Sequence, residues 1–179
     1  MYVLNTYPFN KEGIEELKKL EPFPSVYIIE NGSEIYIGET VHPANRLKDH
    51  LRDKKVASPA NMHIISNFDF NVSVILDLES YLIQLVKAEG KYKMVNEDKL
   101  GTRHNYYMKN TYQERFSKIW NNLIEIGIGH NAEEKIKNKQ IYEFSPIKSL
   151  TSEQQYIVDE ILKQIKEDTY KVFVVQGDP

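Results

Sequence analysis

The sequence predicts an α/β protein in which a small sheet of β-branched and aromatic strands is covered by amphipathic helices. Two runs, Ser25-Val26-Tyr27-Ile28-Ile29-Glu30 and Glu34-Ile35-Tyr36-Ile37, flank Asn31-Gly32-Ser33, the pattern of a hairpin. Phe70 to Leu76 alternates and is rich in Val and Ile, which predicts a further strand. Leu78, Tyr81, Leu82, Leu85 and Val86 recur at i, i+3, i+4, i+7 and i+8, the stripe of a helix packed on a sheet.

Taken in order, Asn10 to Leu20 places Ile14, Leu17 and Leu20 at helical spacing and ends at Glu21-Pro22-Phe23-Pro24, so a short helix leads into the hairpin. Pro43 suits the first turn of a helix reaching about Asp53, with Ala44, Leu47 and Leu51 as its apolar stripe. A second short helix is expected after Pro59. Asp77 is the expected N-cap of the Leu78–Val86 helix, and Gly90 its end. Thr111 to Ile126 reads as a helix with Phe116, Ile119, Trp120, Leu123 and Ile124 inward. Asn131 to Gln140 is polar and lysine-rich, with Ile136 its only large apolar residue, and reads as a solvated connector. Leu150-Thr151-Ser152-Glu153-Gln154 opens a capped helix, and Val172-Phe173-Val174-Val175 has the pattern of a buried strand before Gly177-Asp178-Pro179.

A chain of 179 residues, 41% hydrophobic and 27% charged, is long enough for one domain with an appendage, at roughly 150 residues per domain. No apolar run approaches the roughly 18 residues of a membrane span, so a soluble, cytoplasmic protein without membrane contact is expected. The net charge of −3 gives no bulk attraction for a polyanion, so any nucleic-acid contact must be local. With no cysteine, thiolate zinc sites and cysteine nucleophiles are excluded. The 5 histidines form no His-x-x-x-His pair, which leaves a hard cation on carboxylate as the open metal chemistry.

The hairpin strands carry Tyr27 and Tyr36, and Gly38 follows where the backbone is expected to turn tightly. Arg46 and His50, at i and i+4, share one helix face, which sets a cation beside a titratable imidazole while Leu47 and Leu51 face the core. Around them Arg46, Lys48, Arg52, Lys54 and Lys55 outnumber Asp49 and Asp53, with Lys87, Lys91 and Lys93 further along. Such a patch supplies sequence-independent affinity for a phosphate backbone.

This pattern resembles the GIY-YIG endonuclease family, whose two motifs appear as Ser25-Val26-Tyr27 and Tyr36-Ile37-Gly38. In that family an arginine and a histidine or tyrosine follow on the next helix, matching Arg46 and His50. A metal-binding glutamate begins a later helix, matching Glu79, and an asparagine follows, matching Asn96. Ser25 stands where the first motif has glycine, and Glu39 where some members carry lysine. The resemblance covers roughly Pro24 to Asn96. It implies a small three-stranded antiparallel sheet flanked by helices and a divalent-metal-dependent endonuclease hydrolysing phosphodiester bonds of DNA, although these residues do not divide DNA from RNA. Tyr27 would be the general base assisted by His50, with exchange of the two tyrosines open. Arg46 would pair with phosphate oxygens, Glu79 would hold Mg²⁺ or Mn²⁺, and Asn96 would position the phosphate or the metal's surroundings.

Plain readings stand beside these. Tyr27 and Tyr36 also suit a cross-strand aromatic pair, Arg46 and His50 a solvated face paired with Asp49 and Asp53, Glu79 the positive end of its helix, and Asn96 a turn. His63 and His104 match no motif.

Beyond this region, Ser145 to Gln154 resembles the lead-in of superfamily 1 helicases. Val172 to Pro179 resembles the strand and first residues of a phosphate-binding loop G-x-x-x-x-G-K-[ST]. The combination is similar to bacterial fusions of a GIY-YIG nuclease with a Schlafen-like helicase. The expected organisation is therefore a helical lead-in at 1–22, a nuclease domain at 23–110, a helical connector at 111–149 and the start of a truncated P-loop ATPase domain at 150–179. A noncatalytic nucleic-acid-binding or docking module of a helicase is the alternative.

Overall fold

The computed structural model describes residues 2–96 and 105–137, which run through β1 (Val3–Pro8), α1 (Lys11–Leu17), β2 (Ser25–Glu30), β3 (Glu34–Thr40), α2 (Pro43–Asp53), β4 (Asn61–Ser66), α3 (Val72–Glu89), β5 (Lys93–Met94) and α4 (Lys109–Glu125). Everything expected of residues 138–179, including the phosphate-loop strand, lies outside the described residues, as does His104.

The architecture is mixed α/β. The sheet has 5 strands in the order β1-β4-β2-β3-β5, not the three antiparallel strands expected. The hairpin forms as read: β2 pairs antiparallel with β3, and Asn31 Oδ1 accepts from the Ser33 and Glu34 N–H groups at 3.1 and 2.8 Å, which closes the turn. Three strands escaped the sequence reading, β1, β4 and the two-residue β5. β1 alternates only weakly in exposure and owes its conformation to its antiparallel partner β4. β4 occupies the place where a short helix was expected after Pro59, because Met62, Ile64 and Ile65 complete both faces of the central strand β2.

Phe70 to Leu76 is not a strand. Asn71 caps the N-terminus of α3 by accepting from the Val74 N–H at 3.2 Å, and Val74, Ile75, Leu78 and Leu82 continue one buried helical stripe. The β-branched run looked extended in isolation, yet the longer 3.6-residue period prevails once the stripe has a sheet to cover. Asp77 is consequently inside the helix, where it accepts from the Tyr106 hydroxyl at 2.8 Å. Gly90 ends α3 in the left-handed region at φ 71°, as its position predicted.

Hydrophobic clusters cover both faces. On one, Val26, Ile28, Ile35 and Ile37 meet α3 and the α4 residues Phe116, Ile119, Trp120 and Leu123. On the other, Tyr27, Ile29, Tyr36 and Ile64 meet Ile14 and Leu17 of α1 and Leu47 of α2. Alternation along β2 and β3 thus assigns the tyrosines to the α1/α2 side. The chain after α4 is no solvated connector as far as Lys137: Ile136 is 2% exposed within the first cluster, and the Trp120 indole donates to the Asn131 carbonyl at 3.0 Å. Its polar composition reflects the outward side of a short packed segment. Among the described residues no helix is long and apolar enough to cross a membrane.

Ile136→Ala should therefore lower unfolding free energy by about 2–5 kcal/mol in chemical denaturation, as for other buried aliphatic truncations. A solvated connector would give a change within about 0.5 kcal/mol.

Candidate active site

Register places the site. Counting out from the turn, Tyr27 lies opposite Gly38 on one side and Ile64 on the other. A Cβ on Gly38 would stand 2.5 Å from Tyr27 Cζ and 3.0 Å from Tyr36 Cε1, and nearer still to the Tyr27 hydroxyl. Gly38 is thus inside β3, not at a turn, and glycine is required because the Tyr27 ring occupies the space of a side chain. Tyr36 faces Ile29 across the ladder, so the tyrosines are diagonal neighbours on one face instead of a directly opposed pair. Their rings stack at 6.0 Å with 9° between planes.

Helix α2 starts at Pro43 and crosses this face. It brings His50 into the gap, 4.6 Å from the Tyr36 ring centre and 5.5 Å from that of Tyr27. His50 is 2% exposed, so it belongs to the core beside Leu47, whereas Arg46 one turn earlier reaches solvent. Both meet one atom: the Tyr27 hydroxyl lies 2.7 Å from His50 Nε2 and 3.4 Å from Arg46 Nε. The shared face of an i, i+4 pair thereby converges on the phenol.

Burial and the charges of Arg46 and Lys55 lower the His50 pKa to about 4, against the weaker opposing pull of Asp53 and Asp49. The Tyr27 hydroxyl and the neutral imidazole share one hydrogen bond at Nε2, whose direction follows the tautomer, and the Tyr27 oxygen accepts from the Arg46 Nε–H. The Tyr27 pKa is raised, first by burial and then by Tyr36, while the Arg46 hydrogen bond and charge oppose the rise. Arg46 is held more firmly protonated by the same hydrogen bond.

Asn96 works from the strand edge. Its Oδ1 accepts from the Ile37 N–H at 3.2 Å and its Nδ2 donates to the Ile37 carbonyl, so the amide continues the ladder beyond the short parallel strand β5. The residue so clamped lies between Tyr36 and Gly38. Glu79, 3% exposed, stands on α3, which covers the opposite face of the sheet from α2. It is about two turns into that helix, so the reading that places it at a positive helix end is overturned by the start of α3 at Val72. Four predicted residues are thus brought together, Asn96 holds their strand, and Glu79 occupies the other layer.

Of the predicted basic patch, Lys48, Lys54 and Lys55 are exposed on or just beyond α2, and Arg52 is shared between Asp49 and Asp53 at 3.3 Å each. Lys91 donates to the Gly127 carbonyl and lies over the Tyr92 ring, which ties the ends of α3 and α4. His63 is buried on the α3 side, between Thr6 at 2.9 Å and Glu30 at 3.6 Å, away from the tyrosines. Among the described residues no three His, Asp or Glu side chains cluster to form a metal cage. What the sequence reading missed is the seat at Gly38, although pairing outward from Asn31-Gly32-Ser33 would have found it.

A folded-state His50 pKa of about 4, below the ordinary 6.5, means that the unfolded chain takes up a proton first as pH falls. Stability contributed by neutral His50 should be intact above about pH 6.5 and lost progressively as the pH drops towards 4. NMR titration of the ring should show a neutral imidazole at pH 5.5, and His50→Gln should flatten that part of the stability profile.

Comparison with known proteins centres on the same segment. No solved structure matches the chain at a significant level. UvrABC system protein C of Acetivibrio thermocellus is 32% identical over 114 residues, which is 59% of this chain and 17% of that protein, so the chain spans under a fifth of the relative's length. Residues 23–93, the stretch that holds Tyr27, Tyr36, Gly38, Arg46, His50 and Glu79, match the family model described as the GIY-YIG catalytic domain.

Proposed function

We propose that this protein is a divalent-metal-dependent endonuclease that hydrolyses phosphodiester bonds of DNA, and that it acts as the nuclease part of a cytoplasmic nuclease-helicase. The observation that carries the nuclease reading is the convergence of His50 Nε2 and Arg46 Nε on the Tyr27 hydroxyl, 2.7 and 3.4 Å away, within a segment matched by a catalytic-domain model. The helicase in cis rests on the resemblance of residues 145–179 alone.

In this reading water gives its proton to Tyr27 Oη while the phenolic proton passes to His50 Nε2, so that no free phenolate forms at a buried oxygen whose pKa is raised. Arg46 takes the nonbridging oxygens of the phosphate through its fork of N–H groups. The arriving anion also offsets part of the positive charge that holds His50 down, which makes the imidazole a better acceptor at the moment it is needed. Tyr36 stacks on Tyr27 and keeps its hydroxyl edge aimed, and Asn96 holds the strand beneath both.

Among the described residues no protein-only cage forms, so Mg²⁺ or Mn²⁺ would reach the phosphate from the α3 side on one carboxylate, with water and substrate phosphate completing its shell. Glu79 is the carboxylate that would hold the ion. When bound, the ion supplies Lewis-acid compensation of charge on the phosphate and leaving oxygen. Lys48, Arg52, Lys54 and Lys55 supply affinity along the backbone without reading bases.

Nicking of supercoiled plasmid in Mg²⁺ tests the reading. Tyr27→Phe and Arg46→Ala should each reduce the rate by about 10²–10⁴-fold with the fold retained, as expected for loss of a proton acceptor or a charge stabiliser. Glu79→Gln should abolish metal-dependent nicking without weakening DNA binding. A docking module would leave plasmid intact in wild type and variants alike.

A further inference from the structure

A cavity of about 320 Å³ opens on the tyrosine side of the sheet, at the N-terminal end of α2. Its floor is three adjacent strands: Asn5 of β1, Ile64 and Ser66 of β4, and Ser25 of β2. Its walls are Leu20 and Phe23 in the segment after α1 and Asn45 at the start of α2. The volume falls within the range of small-molecule sites and exceeds what a single flat ring needs.

Three features distinguish this cavity from a surface irregularity. It adjoins the proposed reaction centre: Ile64 lies directly across the ladder from Tyr27, Ser25 precedes Tyr27 by two residues on the same face, and Asn45 precedes Arg46. Two strand residues span about 7 Å, comparable to the reach from a phosphate to its own base. Apolar exposure gathers there, since Val3, Leu20 and Phe23, at 48, 42 and 37% exposed, all line it. Finally, the side chains of Asn5, Asn45 and Ser66 have no hydrogen-bond partner among the described residues, so amide and hydroxyl edges stand ready around an apolar floor.

We infer that this cavity is a nucleobase pocket, which takes the unstacked base of the nucleotide whose phosphate sits at Arg46 and Tyr27. The inference rests on the nuclease reading for the identity of its ligand. An aromatic wall, flanking aliphatic side chains and free amides match a planar ring with donor and acceptor edges, the composition by which unpaired bases are held. Acting on DNA, the enzyme then requires its target nucleotide to be extrahelical or single-stranded. The pocket gives that preference without major-groove readout.

The test uses the whole chain and two small probes, 2′-deoxyadenosine 5′-monophosphate and 2-deoxyribose 5-phosphate, titrated by NMR while the Asn5 and Asn45 side-chain amides are followed. The nucleotide should bind at least about tenfold tighter than the sugar phosphate, the scale of one base–aromatic stack. Phe23→Ala should erase most of that difference and leave sugar-phosphate binding unchanged. Leu20→Ala, at another exposed wall position, should narrow it in the same direction. Equal affinity for the two probes in wild type, or a preference untouched by both variants, overturns the pocket. Cleavage of a single-stranded oligonucleotide in Mg²⁺, run in parallel, separates the two readings: cleavage with equal probe affinities removes the pocket alone, and base-dependent binding without cleavage removes the nuclease reading alone.

Discussion

The Tyr27 ring lying across Gly38 is the constraint on which the site depends. An aromatic ring can rest on a neighbouring strand only where that strand has no side chain, and the overlap that a Cβ would create at 2.5 Å from Cζ shows how little room remains. Held in this way, the phenol has one orientation, with its oxygen towards α2. His50 can then be buried at small electrostatic cost, because its neutral ring finds a hydrogen-bond partner in that oxygen and aromatic neighbours in both tyrosines. Without the seat at Gly38, the imidazole would be a buried polar group with no partner.

Arg46 balances this arrangement from the solvent side. Its charge disfavours imidazolium and favours an electron-rich phenol oxygen, so the resting state keeps one proton between Tyr27 and His50 and keeps the pair uncharged. A buried neutral pair and an exposed cation separate the proton chemistry from the anion binding, although the two are joined at one oxygen atom. The same helix manages both because positions four residues apart share a face while differing in depth: His50 lies under the rim, and Arg46 stands on it.

Layering determines which residues touch directly. Alternation in β2 and β3 sends the tyrosines to the α1/α2 side and their neighbours Val26, Ile28 and Ile37 to the α3/α4 side. Glu79 therefore belongs to the layer below, and Asn96 bridges the region at the sheet edge by hydrogen bonding to the Ile37 backbone. The short length of β5 leaves the second half of β3 without a full strand neighbour, and the asparagine amide supplies the missing pair of hydrogen bonds beside Gly38. A side chain that looked like a turn former is thus a surrogate for a strand.

Local patterns were strong enough in the sequence to determine the hairpin, α2, the body of α3 and α4, because each rests on turn chemistry or a periodic stripe that operates within a few residues. The six motif positions came from a family resemblance carried on those elements, not from turn chemistry or periodicity. Strands β1 and β4 were not legible, since a weakly alternating segment becomes a strand only when a partner satisfies its backbone, and that partner lies about 60 residues away in the chain. The start of α3 was misread because β-branched residues favour extended backbone locally, and only the sheet beneath Val74 and Ile75 decides for the helix. Likewise the polar stretch around Ile136 discloses its burial only against α4. Tertiary structure alone decided that His50 is buried while Arg46 is not, and that Glu79 lies in a different layer from the tyrosines. Each of these depends on which face meets which, a property of packing between distant segments and not of spacing along one.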